Sequence, residues 1–464
     1  MTTPASSISP SDDALAKELR DLRVQYPTTG AAKLVPLLLA SNPTWTVSEK
    51  RVRKILQKEG LSTSAAPGAT PNKGSNVDED DSFPTSHIVD SVDPAKWSKK
   101  VRVADFGSRK GKGLVATEPI AENEHIWVED PLITSPESWV IVYPSLSWLC
   151  GRTLSFLNGV SVSYFPRELD QLHRNGQACL YCSKIIRSSG GYHIECKCSG
   201  VFCNRLCSSR GGGAHAFLCV GQNPASIPFV RFIRDENWKA PGALARLAGV
   251  LLSLASKGPS AAQELTHTID YVRGLAGLSL DKRTRVISNW QATQTASEEL
   301  WKKTHLLFVQ ALQSPTTPAD ANILARLKGK GELPADILHL LFDYDGFLLG
   351  LGKMSLNMEA HGGLYVLHSH INHSCSSNIS VRHITTNHSQ RITIIARKNI
   401  DAGEELLASY VNPSNDVWAR RRELKEWGFG VCNCERCLEE EKTAPPEGQQ
   451  KVELEDELRG FLGV

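Results

Sequence analysis

The sequence lacks long apolar runs, a secretory signal and a strong net charge. No uninterrupted apolar stretch approaches the roughly 18 residues that a membrane-spanning helix needs, so we predict no membrane contact. The first residues, MTTPASS, carry neither clustered positive charge nor an apolar core, which excludes a recognisable signal peptide. The formal net charge of +2 excludes a general attraction to nucleic acid or to acidic surfaces, so any such attraction must be local.

Cysteine, in contrast, is plentiful. Twelve cysteines without a secretory signal indicate a reducing compartment and metal binding, and they argue against disulfides. Seven lie between Cys179 and Cys219, and four lie in the last third of the chain. Cys150 stands apart from both groups, and we expect it to be a small buried side chain.

At 464 residues the chain is too long to fold around a single hydrophobic core, so we expect about two to four folded units. Residues 1–62 contain three short helical patterns and resemble a helix-turn-helix module. The last helix is basic, with Lys50, Arg51, Arg53, Lys54 and Lys58. Such a helix suits the phosphates of a nucleic acid, but it equally suits a protein partner or a solvated surface. Residues 63–98 have the Ser, Pro and Gly content of a disordered linker.

The densest polar chemistry lies near the C-terminus. Asn372 and His373 precede Cys375, and Cys432, Cys434 and Cys437 follow downstream. These four thiols equal the ligand count of a closed tetrahedral zinc site. Between the two groups, a strand-like segment that starts with Gly403 ends at Tyr410.

A second ligand-rich stretch lies in the middle of the chain. It supplies eight nitrogen or sulfur ligands, which is the number that two tetrahedral zinc ions need. The ligands are Cys179, Cys182, Cys196, Cys198, Cys203, Cys207, His215 and Cys219. His193 lies three residues before Cys196 and is an alternative ligand for the second ion.

A glycine-rich turn follows the strand pattern of residues 100–106. Its residues are Lys110, Gly111, Lys112 and Gly113. Glycine in such a turn allows the backbone to approach a ligand that a side chain would block. Taken alone, this pattern is more often an ordinary tight turn.

The order of four motifs resembles that of a SET lysine methyltransferase. The motifs are the glycine turn, the Asn-His-Ser-Cys run, Glu-Glu-Leu-x-x-x-Tyr and the final Cys-x-Cys-x-x-Cys. The middle cysteines resemble a MYND zinc finger, and a SET domain divided in this way is similar to the SMYD type. With the N-terminal helices added, the chain most resembles the fungal Set-five type of histone H4 lysine methyltransferase.

The resemblance implies an α+β fold with a SET β-structure and a knot-like threading of the C-terminal segment. The implied units are a SET N-terminal part at 99–178, the MYND-like finger at 179–219, and a helical SET insert at 220–350. A catalytic core at 351–413, a post-SET zinc loop at 414–440 and an acidic tail at 441–464 complete the chain.

The resemblance also implies S-adenosyl-L-methionine as cofactor and about three structural zinc ions. It assigns catalysis to Tyr410, which would line the channel of the substrate lysine. It assigns cofactor binding to the glycine turn, Asn357, Asn372, His373, Tyr410 and Phe429. It divides the middle ligands into Cys179, Cys182, Cys203 and Cys207 for one ion, and Cys196, Cys198, His215 and Cys219 for the other.

The resemblance implies a protein-lysine methyltransferase that acts on histone tails, with histone H4 favoured, in the nucleus and cytoplasm. Methyl transfer requires an uncharged lysine amine, and a narrow apolar channel beside a sulfonium would lower the amine pKa. Two alternatives remain: methylation of non-histone proteins, or a scaffold that binds protein or DNA and has a weak SET core.

Overall fold

A computed structural model describes most of the chain as two units, residues 1–77 and 78–464. The described residues are 9–25, 31–42, 44–58, 83–107, 110–135, 172–173, 175–186, 192–236, 238–286, 294–359, 362–384 and 390–445. Cys150 lies outside these ranges.

The N-terminal unit contains the three predicted helices. They are α1 (Asp12–Gln25), α2 (Ala31–Ser41) and α3 (Glu49–Lys58). Leucines at helical spacing, including Leu15 and Leu19 of α1 and Leu34 and Leu38 of α2, form its fully buried core. The basic residues Lys50 and Lys54 of α3 are exposed.

The larger unit is built on short strands rather than one sheet. The strands are β1 (Val101–Asp105), β2 (Lys112–Ala116), β3 (His125–Glu129), β4 (Ile133–Thr134), β5 (Ile194–Glu195), β6 (Val201–Phe202), β7 (Gly363–Leu364), β8 (Asn372–His373), β9 (Ile379–Arg382), β10 (Ile392–Ala396) and β11 (Leu407–Ala408). Antiparallel pairs join β1 to β2, β4 to β7 and β5 to β6, and β10 lies between β3 and β9. Strands β9 and β10 are neighbours in the sequence and pair with each other.

The exception to antiparallel pairing is β8, which pairs in parallel with β11. Leu407 lies opposite Asn372, and Ala408 lies opposite His373. The amide of Asn378 reinforces this pairing, because it accepts from Leu407 N–H and donates to the carbonyl of Glu405. As a result, two polar segments from distant parts of the chain lie side by side.

Helices fill the predicted insert and carry a separate apolar core. They are α5 (Ile227–Asp235), α6 (Lys239–Ser256), α7 (Ala262–Gly274), α8 (Leu280–Val286), α9 (Gln294–Leu312), α10 (Pro318–Lys328), α11 (Ala335–Phe342) and α12 (Tyr344–Asn357). Helix α6 is buried along most of its length, as expected of its alanines and leucines. Asp343 has an extended backbone and separates α11 from α12.

Shorter helices complete the cysteine-rich segments. Helix α4 (Arg205–Ala216) follows β6, and α13 (Val417–Glu426) and α14 (Glu435–Thr443) flank the last cysteines. The predicted acidic tail therefore starts inside a helix. Glu440 and Glu441 of α14 accept hydrogen bonds from Arg420 and Arg421 of α13, which holds this part of the tail against the fold.

The linker predicted over 63–98 is wrong for residues 83–98. This segment contains a 3-10 helix at Pro94–Lys96, capped by the Asp93 side chain. Thr85 also exchanges two backbone hydrogen bonds with Gly277, at 3.0 and 2.9 Å. Composition gave the wrong prediction because backbone hydrogen bonds to the rest of the larger unit hold this segment in place.

Among the helices described, none combines the length and apolar character needed to cross a membrane.

Candidate active site

The glycine turn contacts the Asn-His pair directly. A Cβ at Gly113 would lie 2.7 Å from Asn372 Nδ2 and 2.8 Å from Glu405 Oε1, so a side chain there would have to displace these groups. Asn372 Nδ2 donates to the carbonyl of Lys112 at 3.0 Å and to Glu405 Oε1 at 2.9 Å. The space that we predicted for a ligand at Gly113 is thus filled by the protein's own side chains. These bonds fix the amide, so that Asn372 Oδ1 is directed away from both acceptors.

The two lysines of the turn differ in environment. Lys110 forms an ion pair with Glu405, and its ammonium lies 4.6 Å from the centre of the Phe106 ring. The Lys112 side chain is buried, and its Nζ has no hydrogen-bond partner among the residues that the structure describes. Burial, and secondarily the charge of Lys353, lower the pKa of Lys112 to about 7. A buried ammonium without a partner indicates a place for an anionic ligand group.

Lys353 of α12 supplies the second buried ammonium. Its Nζ donates to the carbonyls of Arg273 and Leu275 at 3.1 and 2.8 Å. Burial lowers the pKa of Lys353 to about 8. The site therefore contains two cations from segments far apart in sequence.

The prediction for Asn357 needs correction. Its Nδ2 donates to the carbonyls of Ala276 and Lys353, both at 2.7 Å, and its Oδ1 accepts from Ala276 N–H at 3.2 Å. Both amide hydrogens are consequently used within the protein. Asn357 joins the end of α12 to the loop after α7 instead of offering a donor to a cofactor.

Tyr410 is surrounded by the other predicted site residues. Its backbone N–H donates to His373 Nδ1 at 3.0 Å, and its hydroxyl donates to the carbonyl of Ile371. Its ring centre lies 5.3 Å from that of His373 and 5.4 Å from that of Phe429. Burial of the hydroxyl, with a smaller effect of Glu405, raises the pKa of Tyr410 above its ordinary value. Tyr410 therefore remains a neutral phenol at physiological pH.

Beside this aromatic group, the last four cysteines converge as predicted. The metal-binding atoms of Cys375, Cys432, Cys434 and Cys437 all lie within 4.8 Å of one another. Two of the sulfur–sulfur distances are 3.9 Å, from Cys375 to Cys432, and 3.5 Å, from Cys375 to Cys437. Tetrahedral zinc–thiolate bonds require sulfur–sulfur distances of about 3.8 Å. The group fits a structural zinc ion.

The middle ligands form two further groups in the predicted combinations. The first is Cys179, Cys182, Cys203 and Cys207, and the second is Cys196, Cys198, His215 and Cys219. His215 Nε2 lies 3.3 Å from Cys196 Sγ and 3.4 Å from Cys198 Sγ. His193 is not in either group and approaches Glu195 at 3.3 Å instead. Both groups fit zinc with no position left open for a substrate.

Comparison with known proteins adds a direct test of the family. The family described as "SET domain" matches residues 111–411, which is more than half of the chain. The match starts at Gly111 within the glycine turn and includes the Asn-His pair and Tyr410. The chain belongs to the SET domain family.

Three similar relatives are each named histone-lysine N-methyltransferase SET5. The protein from Mycosarcoma maydis is 26% identical over 86% of this chain and 84% of its own length. Those from Yarrowia lipolytica and Candida albicans are 25% and 26% identical, covering 92% and 89% of this chain and 80% and 77% of their own lengths. The solved SET domain of LSMT bound to lysine and AdoHcy has 12% identity and a TM-score of 0.31 over 72% of this chain and 52% of its own. That likeness is too low to support a conclusion about this chain.

Within this SET chain, Glu129 holds the turn that leads into β8. Its carboxylate accepts from Leu367 N–H at 2.8 Å, from His368 N–H at 3.1 Å and from Trp127 Nε1 at 3.2 Å. Burial raises the pKa of Glu129 to about 7. Glu129 therefore positions the backbone a few residues before the Asn-His pair.

Three charged residues of the SET site were not predicted from the sequence: Glu405, Lys353 and Arg420. Two of them had a sequence signal. Glu405 is the second acid of the Glu-Glu-Leu run, and Lys353 is the one cation in the otherwise apolar α12 after its first turn. Arg420 lies in a charged helix where burial could not be read from composition.

Arg420 is fully buried beside the last zinc group. It donates to Cys437 Sγ at 3.4 Å, to Glu440 at 2.7 Å and to the carbonyl of Asn415 at 2.5 Å. Four thiolates around one Zn²⁺ carry a net charge of −2, which favours a buried guanidinium beside them.

Arg420→Met should weaken the last zinc site, because it removes the cation that balances the thiolates. Second-layer changes of this kind lower metal affinity by about tenfold or more. The rate of zinc release to a colorimetric chelator measures this effect. One of the three ions should be released faster from the variant than from the wild type. Arg422→Met, at an exposed position of the same helix, is the control. Release of all three ions at the wild-type rate from Arg420→Met would contradict this role.

Lys112→Met should change how stability depends on pH. Between pH 7 and the ordinary lysine pKa, native Lys112 binds fewer protons than unfolded Lys112, so it makes stability rise with pH. The variant should lose up to about 1 kcal/mol per pH unit of that rise. Urea unfolding at pH 7, 8 and 9 without ligand checks this, with exposed Lys99→Met as control. An unchanged slope in Lys112→Met would show that its ammonium is not desolvated.

Proposed function

We propose that this chain is an S-adenosyl-L-methionine-dependent protein-lysine methyltransferase that acts on histone tails. The observation that carries the proposal is the convergence of the glycine turn, Asn372, His373, Tyr410 and Phe429 within a chain of the SET family. The relatives' names as histone-lysine methyltransferases support the substrate class. Histone H4 as the preferred histone and the nucleus as its location are finer parts of the same proposal.

The charged groups of the site suit the methyl donor. S-adenosylmethionine supplies an electrophilic methyl group on a sulfonium sulfur, next to an amino acid end and an adenosine. The unpartnered ammonium of Lys112 suits the carboxylate of the amino acid end. Asn372 Oδ1, left free by the fixing of its amide, suits the donor's ammonium group. The Phe429 ring suits the flat adenine.

Tyr410 would act on the lysine amine as a positioning group in contact with the substrate. Its hydroxyl hydrogen is occupied by the carbonyl of Ile371, so the oxygen is left as an acceptor. An acceptor at that place orients the neutral amine by accepting a hydrogen bond from one of its N–H groups. The new N–C bond forms as the methyl–sulfur bond breaks, and the amine proton then leaves to solvent. Alignment of this kind contributes several kcal/mol to catalysis.

The zinc groups would serve the site indirectly. Because His373 Nδ1 accepts from Tyr410 N–H, its Nε2 carries the hydrogen and donates to Cys375 Sγ at 3.3 Å. Zinc bound at Cys375 would hold His373, and through it Tyr410, in place. The middle cysteines would form a MYND-like finger, and the C-terminal segment the knot-like threading that the family resemblance implies.

Tyr410→Phe should lower methyl transfer about a hundredfold while leaving binding of S-adenosylhomocysteine within a few-fold, because it removes only one oriented oxygen. Transfer of tritium from labelled cofactor to core histones, and separately to histone H4, measures this. Tyr192→Phe, an exposed tyrosine of the cysteine-rich segment, is the control.

Wild-type incorporation into H4 alone supports the H4 proposal, and incorporation into other histones restricts the proposal to histones in general. The absence of incorporation into any protein, with intact cofactor binding, would favour the scaffold alternative. Full activity of Tyr410→Phe would remove Tyr410 from the reaction.

A further inference from the structure

We infer that residues 83–89, here named the strap, form an outer wall of the methyl-donor pocket and must open when the donor and its product exchange. The inference rests on the proposed function. The strap precedes residues 111–411, which the SET family matches, so the family match does not assign it a role.

Main-chain pairing anchors the strap to the helical insert. Thr85 N–H donates to the carbonyl of Gly277 at 3.0 Å, and Gly277 N–H donates to the carbonyl of Thr85 at 2.9 Å. Gly277 follows Ala276, which is held by Asn357. The two acceptors of Lys353 Nζ, the carbonyls of Arg273 and Leu275, lie at the end of α7 and directly after it. The anchor at Gly277 is therefore only a few residues further along the chain.

The middle of the strap lies on the glycine turn. Lys112 N–H donates to Ser86 Oγ at 3.3 Å, and a Cβ at Gly111 would collide with the same oxygen. Gly111 has a φ of +69°, which also favours glycine. The strap therefore uses a backbone donor of the turn that we assign to the cofactor.

The start of the strap lies on the opposite wall, formed by the loop around Phe429. Phe83 Cε1 lies 3.0 Å from the place where a Cβ at Gly430 would be, and Pro84 Cδ lies 3.7 Å from the corresponding place at Gly428. One seven-residue segment accordingly contacts both the turn and the residues on either side of Phe429.

Charge beneath the strap agrees with this placement. Burial lowers the pKa of His87, and the charges of Lys353 and Lys112 lower it further. His87 is thus close enough for the charges of both buried lysines to act on its imidazole. Because Ser86 of the strap contacts the turn on which Lys112 lies, an anionic group bound at Lys112 would lie close to the strap.

Thr85→Pro tests the inference. Proline has no N–H to donate to Gly277, so the anchor is weakened. The matched control is Thr85→Ala, which keeps the backbone donor and changes only an exposed side chain. Stopped-flow binding of S-adenosylhomocysteine should show dissociation about tenfold faster in Thr85→Pro, as expected for the loss of one or two backbone hydrogen bonds. Thr85→Ala should match the wild type.

Hydrogen exchange of residues 83–89 gives a readout that needs no turnover. In the wild type these amides should exchange more slowly when S-adenosylhomocysteine is bound, and in Thr85→Pro this protection should be largely lost. Equal dissociation rates in the two variants, or tighter binding by Thr85→Pro, would contradict the inference that the strap forms a wall of the pocket. Hydrogen exchange of residues 83–89 that does not change when the wild type binds S-adenosylhomocysteine would also contradict it. If the wild type binds no S-adenosylhomocysteine at all, the proposed function fails instead, while fast ligand-free exchange in Thr85→Pro would still verify the anchor.

Discussion

The parallel pairing of β8 with β11 is the constraint on which the site depends. It joins two segments more than thirty residues apart and sets Asn372 and His373 beside the strand that leads to Tyr410. Glu405, just before β11, then reaches Asn372, while Tyr410, just after it, reaches His373. The Gly113 backbone lies against the same contact, so a side chain at this position would displace Asn372 or Glu405. Every other element of the site supports or covers this junction.

Two opposite electrostatic environments lie around the junction. On the side of the glycine turn, Lys112 and Lys353 place two buried ammonium groups together, an arrangement that costs stability until an anion enters. On the side of the last cysteines, four thiolates are balanced by zinc and by the buried Arg420. His373 connects the two sides, since one ring nitrogen serves Tyr410 and the other serves Cys375. A ligand bound beside Tyr410 and a zinc ion bound at Cys375 would therefore act on the same imidazole.

The sequence predicted most of the folded elements, because helical spacing and strand alternation are local signals. It also supplied the ligands of all three groups, although the division of the middle ligands between two ions came from the resemblance to a MYND finger. It failed where the decisive contact is remote. Asn357 was assigned to a cofactor, but its amide is used by the loop at Ala276. Residues 83–98 were assigned to a linker, but Gly277 pairs with Thr85. The burial of Arg420 and Lys353 depends on partners that composition does not reveal, and the break at Asp343 depends on packing between α11 and α12.

The most direct test of the central claim is calorimetric titration of S-adenosylhomocysteine into the zinc-loaded wild type and into Gly113→Val. The account predicts binding with micromolar affinity by the wild type. It predicts no measurable binding by Gly113→Val at unchanged zinc content, because the added side chain would displace Asn372 and Glu405 from the turn. Equal binding heat in the two proteins would contradict the claim that these distant segments form one pocket.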